Sequence, residues 1–289
     1  MTDRIDRAVH AALASAQAGA PPTLAAALAH AVLSGGARVR PRLCVAVAEA
    51  CGDDDPVLAD AAACSLEFVH SGSLAHDDLP CFDDALTRRG QPSVHAAYGQ
   101  AIAVLVGDGL IVQAFDILSR VGVDHDPRRI VTLVRLLAAA SGTREGIVAG
   151  QAWESEPSPP LERYHHAKTA SMFRAATMMG AVAAGADPAP WRIVGDAVGE
   201  AYQLADDLLD AIGDPTQAGK PVGRDAALDR PSAVTTLGAH EALARFDRRV
   251  EDAITAVPDV PGRAAVAALV QAIAQRLLPA AARGALRAA

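Results

Sequence analysis

Aromatic residues make up only 3% of this 289-residue chain, although 51% of it is hydrophobic. Any large apolar space must therefore be lined by Leu, Val, Ala and Met. Cysteine is also scarce: Cys44, Cys51, Cys64 and Cys81 show no C-x-x-C spacing. That excludes a zinc ribbon and a disulfide framework, and reads as reduced thiols in a cytoplasmic protein. No stretch of about 18 apolar residues is free of charge. The opening "MTDRIDRAVHAALASAQ" has no apolar signal core. The expectation is a cytoplasmic chain without a membrane span. Positive charge is in deficit, 26 Lys and Arg against 34 Asp and Glu. A net charge of −8 argues against a nucleic-acid partner, whose footprint is basic.

What the chain has is alanine, in runs such as "TLAAALAHAVL" and "AAVAALVQAIAQRLL". Alanine is the best helix former and a poor strand former, so the fold class expected is all-α. Apolar residues recur at helical spacing almost throughout, interrupted by short turn clusters such as "SGGARVRP", "LPCFDD", "ESEPSPP" and "GDPTQAGKPVG". None is long enough for a domain linker and no fixed-period repeat is present, which implies one helical domain over residues 1–289.

Acidic charge gathers in two knots. "HDDLPCFDDALTRRG" packs Asp77, Asp78, Asp83 and Asp84 into eight positions, with Arg88 and Arg89 just after. "YQLADDLLD" holds Gln203, Asp206, Asp207 and Asp210. On a regular helix Asp206 and Asp210 share a face, with Gln203 on the same stripe. A solvated acidic surface is the ordinary explanation of one knot. Both knots, however, are set in apolar helix, where carboxylates are costly unless paired or metal-bound. Oxygen ligands point to Mg²⁺ or Mn²⁺ rather than zinc, and Mg²⁺ completes its shell with water and substrate phosphate. His70, His76 and His95 lack the paired spacing of a zinc site. Asp77 and Asp83 are six apart, so a bulge at Pro80 is needed to bring them together. Asp84, seven along, aligns without one, and the sequence leaves the choice between Asp83 and Asp84 open.

These residues carry a resemblance. "HDDLPCFDDALTRRGQPSVH" resembles the first aspartate-rich motif of the trans-prenyltransferases, the isoprenyl diphosphate synthases, in the form with two extra residues between the aspartates. "YQLADDLLD" looks like their second motif. "GGARVRP", the Lys168–Thr169 pair and "GKPVGRD" follow the family's order. Within the family the wording is most similar to bacterial geranylgeranyl diphosphate synthases. The resemblance implies a bundle of roughly a dozen helices around a cavity, usually a homodimer. It implies head-to-tail condensation of isopentenyl diphosphate with allylic diphosphates. Carried over by motif position, Asp77 and Asp83 bind two Mg²⁺ and Asp206 a third. Lys168, Gln203 and Lys220, with Arg88, meet the allylic diphosphate, and Thr169 lies near the reacting centre. Arg40, His70 and Arg89 hold isopentenyl diphosphate. Asp78, Asp207 and Asp210 are supporting or alternative ligands.

The chain departs from the family in three places. Ala37 replaces a lysine in "GGARVRP", leaving Arg38 or Arg42 to compensate. Arg230 stands for the usual lysine after "GK". The usual aspartate after "GQ" is missing from "GQAWESEP", where Trp153 and Glu154 stand. Product length is read from the helix before Asp77. Four and five positions back is about one helical pitch, roughly 5.4 Å and about one isoprene unit. Makers of the fifteen-carbon product place an aromatic at the fifth position. Here it is Gly72, a residue that costs about 1 kcal/mol in a helix relative to Ala. The expectation is a void at Gly72, a twenty-carbon product, and a shift toward fifteen carbons in Gly72→Tyr. Alternatives are a farnesyl diphosphate synthase, a weakly active partner subunit of a heteromeric synthase, and a terpene cyclase; the complete second motif argues against the last two. If the knots are the two halves of a metal clamp, Asp77→Ala and Asp206→Ala each lower the condensation rate by several orders of magnitude. Near-normal turnover in either variant would remove the clamp.

Overall fold

Proline and glycine set the boundaries of the helices that carry the two acidic knots. The computed structural model describes residues 2–122, 125–212 and 232–288. It opens with α1 (Thr2–Gln17), α2 (Pro22–Leu33), α3 (Val39–Ala50) and α4 (Pro56–Asp77). Pro22 and Pro56 stand at first helical positions, where the missing N–H is not needed. The Asp55 side chain caps α4 by accepting from the Leu58 amide at 3.0 Å. A two-residue antiparallel ladder, β1 (Thr87–Arg88) with β2 (Gln91–Pro92), pairs Thr87 with Pro92. Then come α5 (Val94–Tyr98), α6 (Gln100–Arg120), α7 (Pro127–Ser141), α8 (Ile147–Trp153), α9 (Leu161–His165), a π-helical turn (His166–Ala170), α10 (Ser171–Ala183) and α11 (Trp191–Ile212). After residue 231 follow α12 (Ala233–Leu237), α13 (Ala239–Thr255), α14 (Arg263–Leu277) and α15 (Ala280–Ala288). The all-α expectation holds.

Helix α4 lies at the centre, packed against α3, α6 and α10. Its Leu58, Leu66 and Phe68 are fully buried, each worth about 1.5–3 kcal/mol relative to exposure. The carboxylate of Glu67 on the same helix is buried, and its charge is met by Arg38. Helix α11 joins two apolar clusters. Val194 and Val198 belong to the large one around α4, while Leu204 and Leu208 pack with Phe246 of α13 and with Leu278. The first acidic knot thus starts at the last residue of α4 and the second lies in the C-terminal half of α11, both helices being held by apolar packing.

The first knot differs from the expected bulged helix. Helix α4 ends at Asp77, and Pro80 lies in the turn beyond it, where proline is common because it need not continue the helix. The chain folds back so that the Asp83 amide donates to the Asp77 carbonyl at 2.9 Å.

Helix α6 is the one helix among the described residues long and apolar enough to cross a membrane by length and composition. Its inner side packs on α4 and its outer side exposes Val104, Leu105 and Val112.

Few aromatics and many small residues let these helices approach closely. Two contacts bear on the site because they seat the π-helical turn. A Cβ on Gly150 of α8 would stand 2.4 Å from the Lys168 Cα, and one on Gly199 of α11 would stand 2.4 Å from the Ala170 Cα. Alanine at position 199 gains about 1 kcal/mol of helix propensity. The clash is with backbone, which cannot swing away, so overpacking of about 1–3 kcal/mol prevails. We expect Gly199→Ala to lower unfolding stability in a denaturant titration; an unchanged or higher midpoint would show that α11 and the turn are not in close contact.

Candidate active site

One cavity of about 270 Å³ collects most of the predicted residues from separate stretches of chain. Asp77, Ser73, Leu74 and His70 reach it from α4, Asp83 from the following turn, and Arg88 and Arg89 from β1 and its turn. Lys168 and Thr169 come from the π-helical turn, Tyr202, Gln203 and Asp206 from α11, and Arg40 from α3. Both acidic knots therefore line a single space. Lys220 and Arg230 lie outside the described residues.

At the acidic end, Asp83 lines the cavity beside Asp77, whereas Asp84 adopts φ +46° and is solvent-exposed. That answers which of the two faces inward. Burial raises the Asp77 carboxyl above its usual range; Lys168 opposes this shift and Asp83 reinforces it. The Oδ1 of Asp77 is buried and accepts no hydrogen bond, with the Lys168 ammonium at 3.8 Å. Such an oxygen fits a hard cation. Among the described residues no three His, Cys, Asp or Glu side chains close into a ready-made cage. The donor set suits Mg²⁺ held by one or two carboxylates and completed by water and phosphate.

Asp78 does a different job. It is buried and accepts from Arg88 Nε at 2.9 Å and from Arg88 Nη2, while Arg88 Nη2 lies 3.6 Å from Asp77. Burial is the largest influence on the Arg88 guanidinium and would lower its pKa, but the bond to Asp78 together with the charges of Asp78, Asp77 and Asp83 turns the net shift upward. Arg88 is thus held by a carboxylate of the protein itself.

The other end is cationic. Arg40 is 8% exposed and lies over Phe173, 4.6 Å from the ring centre, and Tyr202, at 5.6 Å. Its Nε is buried with no hydrogen-bond acceptor, and burial pulls its pKa below the ordinary value. Arg89 bonds the Gly35 carbonyl and lies 3.4 Å from His70 Nε2. The approach depends on Gly36, with φ +117°, where a Cβ would sit 2.6 Å from the Arg89 guanidinium carbon. Burial, then Arg40 and Arg89, hold the His70 pKa well below its usual value, so the ring is neutral at pH 7.

The structure also finds what the sequence reading missed. Glu154, at the position read as lacking its acid, accepts from Gln151 Nε2 at 2.9 Å, from the Tyr164 hydroxyl at 2.7 Å and from Lys168 Nζ. A carboxylate is supplied there after all, one methylene longer. The signal is the Glu itself, three residues after Gln151.

Other expectations are corrected. Gly72 does not line the cavity; a Cβ there would meet the Gly107 carbonyl oxygen of α6 at 3.0 Å and Leu110 Cβ at 3.3 Å. Its bareness serves close packing of α4 on α6, and Ser73, one residue on, is the position that opens inward. Arg38 does not compensate for Ala37, being bound to Glu67 and the Val32 carbonyl. Arg42 shares a different cavity with Ala37, Leu209 and Ile273. The inward stripe of α11 is Tyr202–Gln203–Asp206 rather than Asp206–Asp210. Asp207 turns away, accepting from Gln203 Nε2 at 2.8 Å and from the Ala233 amide at 2.6 Å. His165 lies 3.7 Å from it, its pKa lowered to about 4 by burial and then by Arg245. His95 and His76 face the carbonyls of Ala85 and Val104.

The chain is similar to known proteins along most of its length. The polyprenyl synthetase family profile matches residues 21–270. The chain is similar to the geranylgeranyl diphosphate synthase of Cereibacter sphaeroides, 50% identical over 96% of both chains. It is 48% identical to that of Rhodobacter capsulatus, over 95% of both. Among solved structures, a Helicobacter pylori geranyltransferase complexed with magnesium and isoprenyl diphosphate is 31% identical, with a TM-score of 0.76 over 89% of this chain and 88% of that one. With two aspartate motifs on one cavity, a basic opposite end and this likeness along nearly its whole length, the chain belongs to the polyprenyl synthetase family.

Proposed function

We propose that the protein is a Mg²⁺-dependent prenyltransferase that condenses isopentenyl diphosphate with allylic diphosphates, head to tail, to geranylgeranyl diphosphate. The observation that carries this reading is the single cavity lined both by Asp77, Asp83 and Asp206 of the two acidic knots and by Arg40, His70 and Arg89. An anionic end takes an allylic diphosphate only through metal. A cationic end with a buried Arg40 takes isopentenyl diphosphate directly, since guanidinium forks suit phosphate. Asp77, Asp83 and Asp206 would hold the ions, three with bound diphosphate, and Mg²⁺ would neutralise the charge that develops on the leaving diphosphate.

The chain's own residues do the rest. Lys168, carried on the π-helical turn and set between Glu154 and Asp77, points its ammonium at the departing diphosphate. Arg88 moves part of its bonding from Asp78 to phosphate. Thr169 and Gln203 face the carbon from which diphosphate departs, and Leu74 and Ile147 keep that region apolar and dry. The double bond of isopentenyl diphosphate attacks that carbon, and the proton lost afterwards goes to the departed diphosphate, so no dedicated base is required.

The twenty-carbon product is supported by the likeness to geranylgeranyl diphosphate synthases and by the small Ser73 facing the cavity. A homodimer is supported by the outer face of α6, where Leu105 is 51% and Val112 65% exposed. Such apolar exposure on a well-formed helix favours a second copy of the chain. Four unpaired thiols support a reducing, cytoplasmic setting.

Incubating the purified protein alone with isopentenyl diphosphate, each allylic primer and Mg²⁺, then sizing the products, tests the reading. The expected result is a twenty-carbon product; a fifteen-carbon end point would make the protein a farnesyl diphosphate synthase, and no product would favour a partner subunit. Ser73→Phe is expected to shift the distribution toward shorter products, and an unchanged distribution would take Ser73 out of the chain-length path. Val112→Arg is expected to convert the dimer to monomer in sedimentation; an unaltered dimer would place the interface elsewhere.

A further inference from the structure

Thr169, Gln203 and Asp207 form a chain of hydrogen bonds whose direction is fixed from one end. All three are buried, Asp207 being 3% exposed. The Asp207 carboxylate can only accept. Its Oδ2 takes the Ala233 amide at 2.6 Å and its Oδ1 takes Gln203 Nε2 at 2.8 Å. Gln203 must therefore present its NH₂ to Asp207 and its carbonyl oxygen to Thr169. The Thr169 hydroxyl then has to donate, at 2.6 Å, to Gln203 Oε1. With its proton committed, the Thr169 oxygen turns its lone pairs toward the cavity it lines.

We infer that Asp207 is a positioning residue which sets the polarity of this relay, so that Thr169 shows a negative dipole end to the carbon that becomes positive when the allylic C–O bond breaks. The inference rests on the proposed condensation. It gives the second aspartate of "DDLLD" a role that is neither metal ligation nor simple packing. The Ala233 amide is what makes the relay directional. In Asp207→Asn the side-chain oxygen must still face that N–H, because the alternative sets donor against donor in a buried place. The new NH₂ then faces Gln203, which has to flip. Its own NH₂ meets Thr169, whose hydroxyl becomes an acceptor and is left to point its proton into the cavity. Each hydrogen bond of the relay survives while the dipole at the reacting carbon reverses.

The test is a pair of variants. Asp207→Asn is expected to lower kcat at least about tenfold, the scale on which a misdirected active-site dipole acts. The KM values of both diphosphates and the Mg²⁺ half-saturation should stay within about twofold, as for an interaction made only in the transition state. Adding Gln203→Glu should recover most of the lost kcat. The carboxylate then standing at position 203 accepts from the new amide NH₂ at position 207 on one side and from Thr169 on the other, restoring the original direction. Asp207→Asn at wild-type kcat, or a loss that the second change does not recover, would overturn the relay. A raised Mg²⁺ half-saturation would instead make Asp207 a metal ligand. A readout independent of turnover is the melting midpoint. Gln203→Glu alone sets two carboxylates face to face and is expected to lower it, and Asp207→Asn added to it should bring it back. Failure of that recovery would sink the assigned hydrogen-bond direction even in a protein with no condensation activity. A wild-type enzyme without product, with the midpoints behaving as stated, would count against the condensation and leave the relay standing.

Discussion

The ammonium of Lys168 is the hinge of the cavity's electrostatics. It is bound to Glu154 and stands 3.8 Å from Asp77, so it joins the wall built by α8 and the π-helical turn to the wall built by α4. Two unit charges about 4 Å apart attract by on the order of 4 kcal/mol at an effective dielectric constant near 20. Removing such ions from water costs several kcal/mol each. The cost is at least as large as the gain, so the pairing contributes placement rather than stability. It fixes where a cation stands, and it keeps the aspartates of the first knot from repelling one another unopposed.

That placement depends on backbone geometry. A regular helix through residues 161–183 would not carry Lys168 and Thr169 where they are. The π-helical turn at His166–Ala170 shifts the register, a departure frequent at functional sites. The turn lies close against α8 and α11 because positions 150 and 199 have no side chain. The stability of the bundle and the position of its reactive side chains are thus set by the same contacts.

Much of this is legible in the chain. Alanine-rich periodicity gives the helices, since spacing and propensity agree along most of the length. Two aspartate knots, each set in apolar helix, imply a shared metal-dependent site because isolated buried carboxylates are too costly. What cannot be read are features set by long-range packing. Asp78 and Asp207 look like ligands in a string of letters, yet one is turned to Arg88 and the other to the Ala233 amide. Glu154 looks like a loss when residue names are compared rather than charge. Gly72 misleads for a similar reason. A missing side chain means space only when nothing else fills it, and the Gly107 backbone does. Pro80 bulges no helix, because α4 stops three residues earlier.

The cations of the cavity are of two kinds. Arg88 and Lys168 rest on carboxylates of the protein itself, whereas among the described residues Arg40 and Arg89 bond to no carboxylate. The cavity is therefore electrically lopsided before any ligand arrives. A bare diphosphate is drawn to the Arg40 end and repelled from the aspartates, while one that brings divalent cations is welcome only among the aspartates. On the proposed reading, two substrates with the same head group would be sorted by what accompanies them.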